Sequence, residues 1–150
     1  MIERYIVRAQ NVDQAQATNI YYCYLYLRTV CPQINEHRSL IHNLVSGFKL
    51  QTHSSKTQVE VYETMLKIGV PCIPEYNLNN LICDIMVPEW GRLKNVIIEL
   101  HGFRHFCRNV KRETGSSALK GKIIAAEMYG YYYISIDEWF MAEDRQRFLI

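Results

Sequence analysis

The stretch VIIELHGFRHF, Val96–Phe106, decides the fold when it is read with Asp84 in LICDIMV, Leu81–Val87. Its apolar, β-branched start predicts a buried strand over Val96–Leu100, and Glu99 lies inside that strand. An unpaired carboxylate is costly to bury, so such a strand needs a partner, a metal or a solvent cleft beside the acid. The strand breaks at Gly102 into a segment rich in His and Arg. An acid in one strand, a second acid in the neighbouring strand and a cationic loop beyond form the layout of a phosphodiester site.

At 150 residues, 49% of them hydrophobic, the chain has the size of one domain plus an appendage and can bury a real core. It holds no apolar run of membrane-spanning length, so no membrane span is expected. The net charge of +2 hides an asymmetry. Between Arg92 and Lys122 eight Lys and Arg (92, 94, 104, 108, 111, 112, 120 and 122) face two acids, Glu99 and Glu113. From Ala125 onward the balance is acidic, through Glu127, Asp137, Glu138, Glu143 and Asp144. A basic zone beside an acidic strand suits a polyanion, most simply nucleic acid, although an ordinary solvated loop has the same composition. The 5 cysteines are odd in number and form no CxxC pair, which points to a reducing compartment rather than a disulfide framework. Met1–Ala17 pairs Arg4 and Arg8 with Glu3 and Asp13, a poor pattern for a cleavable transit peptide.

The first fifty or so residues read as helical. Asn19–Val30 and Glu36–Phe48 carry apolar residues at three- and four-residue spacing, separated by Pro32. The alternation YCYLYL leaves a strand open there, and its tyrosines suit either packing or base stacking. Thr52–Ser55 then caps a helix through Lys67 with the stripe Val59, Tyr62, Met65 and Leu66, ended by Gly69 and Pro71. Strands are expected at Cys72–Tyr76, Leu81–Val87 and Asn95–Leu100, joined by a turn at Asn77–Asn80 and a connection at Pro88–Leu93. After the loop Gly102–Gly115 come a helix Ser116–Tyr129, a strand Tyr131–Ile136 and a final helix Glu138–Leu149 capped by Asp137. The crossover should set the last two strands parallel and the hairpins antiparallel. The expectation is a mixed-sheet α/β sandwich of order α-β-β-β-α-β-α, residues 52–150, behind a helical extension, residues 1–51.

That order is the core of the restriction-endonuclease-like fold. VEVYETMLKIGV, LICDIMVP, NVIIELHGFRHF and ETGSSALKGKIIAAEMYGYYYISIDEW, running to Glu138–Trp139, together resemble the RAP domain over about residues 55–142. RAP domains are RNA-binding relatives of the PD-(D/E)xK nucleases, especially the very-short-patch repair type. Thr114, Gly115 and Lys120 match the family's T-G-x-x-x-x-K helix start, whereas His101 stands where RAP domains generally carry an acid. The family's domains usually close organellar proteins that act on RNA.

In a nuclease of this fold, the resemblance implies, Asp84 and Glu99 would hold Mg²⁺, and His101 would stand at the position of the catalytic lysine. His101 can serve as a base, since its ordinary pKa is near neutrality. The departures favour binding: the nucleases' first-helix glutamate aligns nearest Val59, and the family is regarded mainly as RNA-binding. The acidic pair is then a degenerate nuclease site without cofactor or metal, with Glu99 paired to Lys120 or a loop arginine. RNA contacts are expected from Arg104, His105, Arg108, Lys111, Arg112, Lys120 and Lys122, with Phe103 able to stack a base. A zinc site of His101, His105 and Cys107 lacks a fourth ligand. Trp139 reads as a packing anchor ahead of a stacking residue.

The resemblance thus implies a mitochondrial RAP-domain protein that binds RNA, such as rRNA, and the family's organellar habit with the chain's brevity suggests neighbouring proteins of a ribonucleoprotein like the mitochondrial ribosome. A Mg²⁺-dependent endonuclease and a purely structural protein–protein subunit are the alternatives.

Overall fold

The computed structural model describes residues 13–46, 54–107 and 112–149, and the chain divides into two compact units, Met1–Lys49 and Leu50–Ile150. In the first unit, helix α1 (Gln14–Val30) is followed by a 3-10 turn (Pro32–His37) and α2 (Arg38–Ser46). α1 starts earlier than the expected Asn19, because Asp13 and Gln16 form a capping box. Asp13 Oδ1 accepts the Gln16 N–H at 2.8 Å, and Gln16 Oε1 accepts the Asp13 N–H at 3.3 Å. YCYLYL is helix rather than strand. Ala17, Tyr21, Tyr24 and Leu25 fall on one helical stripe and are buried, so two of the tyrosines are packing residues. Phe48, at the end of the expected second helix, lies outside the described residues.

The second unit begins with α3 (Lys56–Lys67), capped by Ser55, whose hydroxyl accepts the Gln58 N–H at 3.1 Å. Its buried stripe is Gln58, Val61 and Met65. Val59 and Leu66, expected on that stripe, are exposed, because the helix turns the Gln58 amide inward to the Asp84 carbonyl at 3.2 Å. Strands β1 (Ile73–Leu78), β2 (Leu81–Trp90), β3 (Leu93–His101) and β4 (Gly130–Ser135) form one open sheet in the order β1-β2-β3-β4. The first two pairings are antiparallel; β3 and β4 are parallel, joined across α4 (Gly115–Ala126). Asn79 and Asn80, both at positive φ, make the two-residue turn between Leu78 and Leu81. The expected connection at Pro88–Leu93 is a tight hairpin, because β2 runs on to Trp90 and β3 begins at Leu93. Trp90 pairs with Leu93 around Gly91, whose φ of +59° supplies the turn. Pro88 can stay in β2 because the β1 pairing has ended at Met86, so its missing N–H breaks no bond of that ladder.

One sheet face packs Ile85, Val87, Val96, Leu100 and Ile134 against Val61, Met65 and the fully buried Trp139. Trp139 sits on α5 (Ile136–Met141), and the chain ends in α6 (Arg145–Phe148), whose Arg145 pairs with Glu60 of α3. The single final helix expected from the sequence is therefore two short ones. Asp144 accepts the N–H groups of Gln146 and Arg147, and this local cap interrupts the run. Ser135, not Asp137, caps α5; Asp137 lies in the first turn, where its charge favours the helix dipole.

On the other face α4 presses on β4 at Gly121, where an added Cβ would lie 2.7 Å from Tyr131 Cε1. Helix propensity alone would favour alanine at Gly121 by about 1 kcal/mol. Overpacking against an anchored ring costs about 1–3 kcal/mol. Gly121→Ala is therefore expected to lower the urea midpoint; a raised midpoint would show that Tyr131 yields without penalty.

Candidate nucleic-acid interface

The β2–β3 ladder runs to the pair Ile85–Ile98, and beyond it the strands fork around Asp84 and Glu99. At the fork each carboxylate takes a backbone donor from the opposite strand. Asp84 Oδ2 accepts the Leu100 N–H at 2.8 Å, and Glu99 Oε1 accepts the Asp84 N–H at 3.1 Å. The second oxygen of Glu99 accepts from Lys120 Nζ at 2.6 Å. Glu99 is 3% exposed, so the acid in the strand is satisfied from within. Burial pushes its carboxyl up to about 7, while Lys120 and the Asp84 N–H pull it back. The neighbouring Cys83 thiol is pushed up to about 12, again by burial, and is inert.

This arrangement is a poor fit for a divalent cation. Both Glu99 oxygens already hold donors, and the Lys120 ammonium stands at 2.6 Å from the oxygen a cation would use. Among the described residues no group of three or more His, Cys, Asp or Glu side chains is placed to hold a metal.

His101 follows Glu99 on the same strand face and is 2% exposed. Its ring lies between His105, with centroids 4.6 Å apart and 11° between planes, and Tyr133, at 4.7 Å and 8°. The two imidazoles are stacked rather than converging on a shared ligand. His101 Nε2 is 3.2 Å from the Tyr131 hydroxyl, which also reaches Glu113 Oε1 at 3.4 Å. His101 Nδ1 lies 3.3 Å from that oxygen but is not aligned for a hydrogen bond. Burial, helped by His105 and Lys120, lowers its pKa to about 4, so at neutral pH it is an uncharged packing residue.

The loop after β3 is closed at its base. Phe106 bridges to Glu113, the Cys107 N–H donates to the Arg112 carbonyl at 2.8 Å, and the Thr114 N–H to the His105 carbonyl at 2.8 Å. His105 Nδ1 is 3.1 Å from the Ser117 hydroxyl on α4, and its pKa is lowered, chiefly by burial. Arg104, in the 3-10 turn Phe103–His105, is exposed, with its guanidinium 5.6 Å from the centre of the exposed Phe103 ring. Arg112 and Lys122 are exposed. Arg108 and Lys111 lie outside the described residues.

Of the residues singled out in the sequence, Asp84, Glu99, His101 and Lys120 come together at the fork, and Lys120 serves Glu99. Sequence reasoning missed Gln58, Ser117, Tyr131 and Tyr133. The tyrosines belong to the site because β4 pairs Tyr131 with Ile97 and Tyr133 with Glu99, a register that strand alternation alone does not fix. No known protein-family model matches the chain.

Lys120→Met tests the buried pair. An unfolded glutamate titrates near 4.5 and Glu99 in the fold near 7, so this group's stability contribution falls as pH rises between those values. Without Lys120 the folded value moves higher still. The penalty of Lys120→Met, read by urea unfolding, should be flat below about pH 7 and grow above it, toward about 3–5 kcal/mol. Adding Glu99→Gln should recover most of it. An equal penalty at all pH values would contradict a buried carboxyl held by Lys120.

Proposed function

We propose that this chain is an RNA-binding protein of the RAP type, with a restriction-endonuclease-like domain whose acidic pair has become a structural element. The observation that carries this reading is the Lys120–Glu99 pair at 2.6 Å, which neutralises the acid at the strand fork and turns a nuclease-like centre inward. The element order α-β-β-β-α-β followed by two short helices, and the mixed four-stranded sheet, support the fold assignment. Arg104, Arg112 and Lys122 are exposed on the loop and helix around the fork and suit RNA phosphates. Phe103, 76% exposed beside Arg104, suits an unstacked base. In this reading the protein works in an organelle, the mitochondrion, and contacts rRNA within a ribonucleoprotein such as the mitochondrial ribosome, beside neighbouring proteins. No helix among the described residues is long and apolar enough to cross a membrane.

Filter binding to single-stranded RNA over a salt series tests the reading. The triple variant Arg104→Glu, Arg112→Glu, Lys122→Glu should bind all sequences more weakly, with a shallower salt slope by roughly 0.7 per lost phosphate contact. Wild-type protein that ignores RNA at low salt would contradict it and favour a protein–protein subunit. RNA cleavage in Mg²⁺ that Asp84→Asn abolishes would replace it with the nuclease reading.

A further inference from the structure

Tyr133 lies on β4, the edge strand of the sheet, and is 47% exposed. Its ring is nevertheless fixed in place. It stacks on His101 at 4.7 Å, and His101 stacks on His105 at 4.6 Å, so three nearly parallel rings form a column. Phe106 meets both His101 and Tyr133 edge-on, at 5.8 and 5.9 Å, and supports one flank. The middle ring is held at Nε2 by Tyr131, and the far ring by Ser117. The column thus runs from the α4 side of the site to an aromatic ring at the solvent edge.

We propose that Tyr133, half-exposed at the end of the column, offers the ring face turned away from His101 as a stacking platform for one unpaired RNA base. The proposal rests on the RNA-binding reading above and names the chemistry that the site adds to phosphate contacts. A flat aromatic face with its orientation already set suits a planar π-system, and little ordering entropy remains to be lost on binding. Arg104, on the turn that carries His105, and Arg112, at the loop base, are exposed cations that suit an anionic backbone and oppose a cationic peptide. Both imidazoles are uncharged at neutral pH, so the column offers π surface rather than charge. A duplex hides its base faces, so the ligand class is single-stranded RNA.

The test uses the full chain with a short single-stranded RNA of mixed sequence, the same RNA in a duplex, and three variants: Tyr133→Leu, Tyr133→Phe and Tyr133→Trp. Base stacking is worth about 1–3 kcal/mol, so Tyr133→Leu should weaken single-strand binding by roughly 5- to 150-fold at an unchanged salt slope. Tyr133→Phe and Tyr133→Trp should bind as well as wild type, and duplex binding should not respond to any of the three. Ultraviolet crosslinking of the wild-type complex should place a crosslink on Tyr133, a readout independent of how Tyr133→Leu folds. Wild-type binding to single strands with no crosslink at Tyr133, or an equal loss for duplex and single strand, overturns the platform but leaves RNA binding standing. Failure of the wild type to bind any RNA at low salt overturns both.

Discussion

The buried carboxyl of Glu99 is the constraint around which the C-terminal unit is arranged. A strand in the middle of a sheet cannot carry this acid without donors, and it has two: the Asp84 N–H from β2 and the Lys120 ammonium from α4. The first requires β2 and β3 to part, because an N–H given to a side chain is lost to the ladder. The second fixes the distance and rotation of α4 over the sheet. Gly121, next to Lys120, then meets Tyr131, and Ser117, one turn earlier, meets His105. Fork, helix placement and aromatic column thus follow from one satisfied charge.

The same pairing separates the interior of the site from its surface. Asp84, Glu99 and Lys120 serve the fork, and His101 is packed among aromatic rings; the shifts of Glu99 and His101 arise mainly from burial. Perturbed groups often mark catalysis, but structural ion-pair networks perturb them too, and here each has a structural partner. What faces solvent is of another kind: the Arg104–Phe103 pair, Arg112, Lys122 and the ring of Tyr133. Cations interleaved with aromatic faces are the chemistry of single-strand recognition.

Much of this was legible in the sequence because the strongest signals were apolar runs. LICDIMV and VIIEL read as buried strands, and an acid inside each marks their meeting point. Two Asn residues announced the β1–β2 turn, and Gly130 with its tyrosines announced β4. The departures from apolar patterning have specific causes. The α3 stripe was displaced because Gln58, a polar residue, faces inward to bond the Asp84 carbonyl. Apolar spacing alone joins the last two helices into one, whereas the Asp144 cap divides them. The residue type of His101 suits a base, whereas a register known only from the sheet puts it between two rings. That register likewise hid Tyr133, since a run of three tyrosines does not say which of them faces the acid.

The central claim, that Glu99 is a buried carboxyl satisfied within the fold, is read most directly by carbon-13 NMR titration of the glutamate side-chain carboxyls, with Glu99→Gln to assign the resonance. The Glu99 carboxyl is expected to titrate with a midpoint raised to about 7. A midpoint at the ordinary value near 4.5 would mean that Glu99 is open to solvent and that the fork is not held as described.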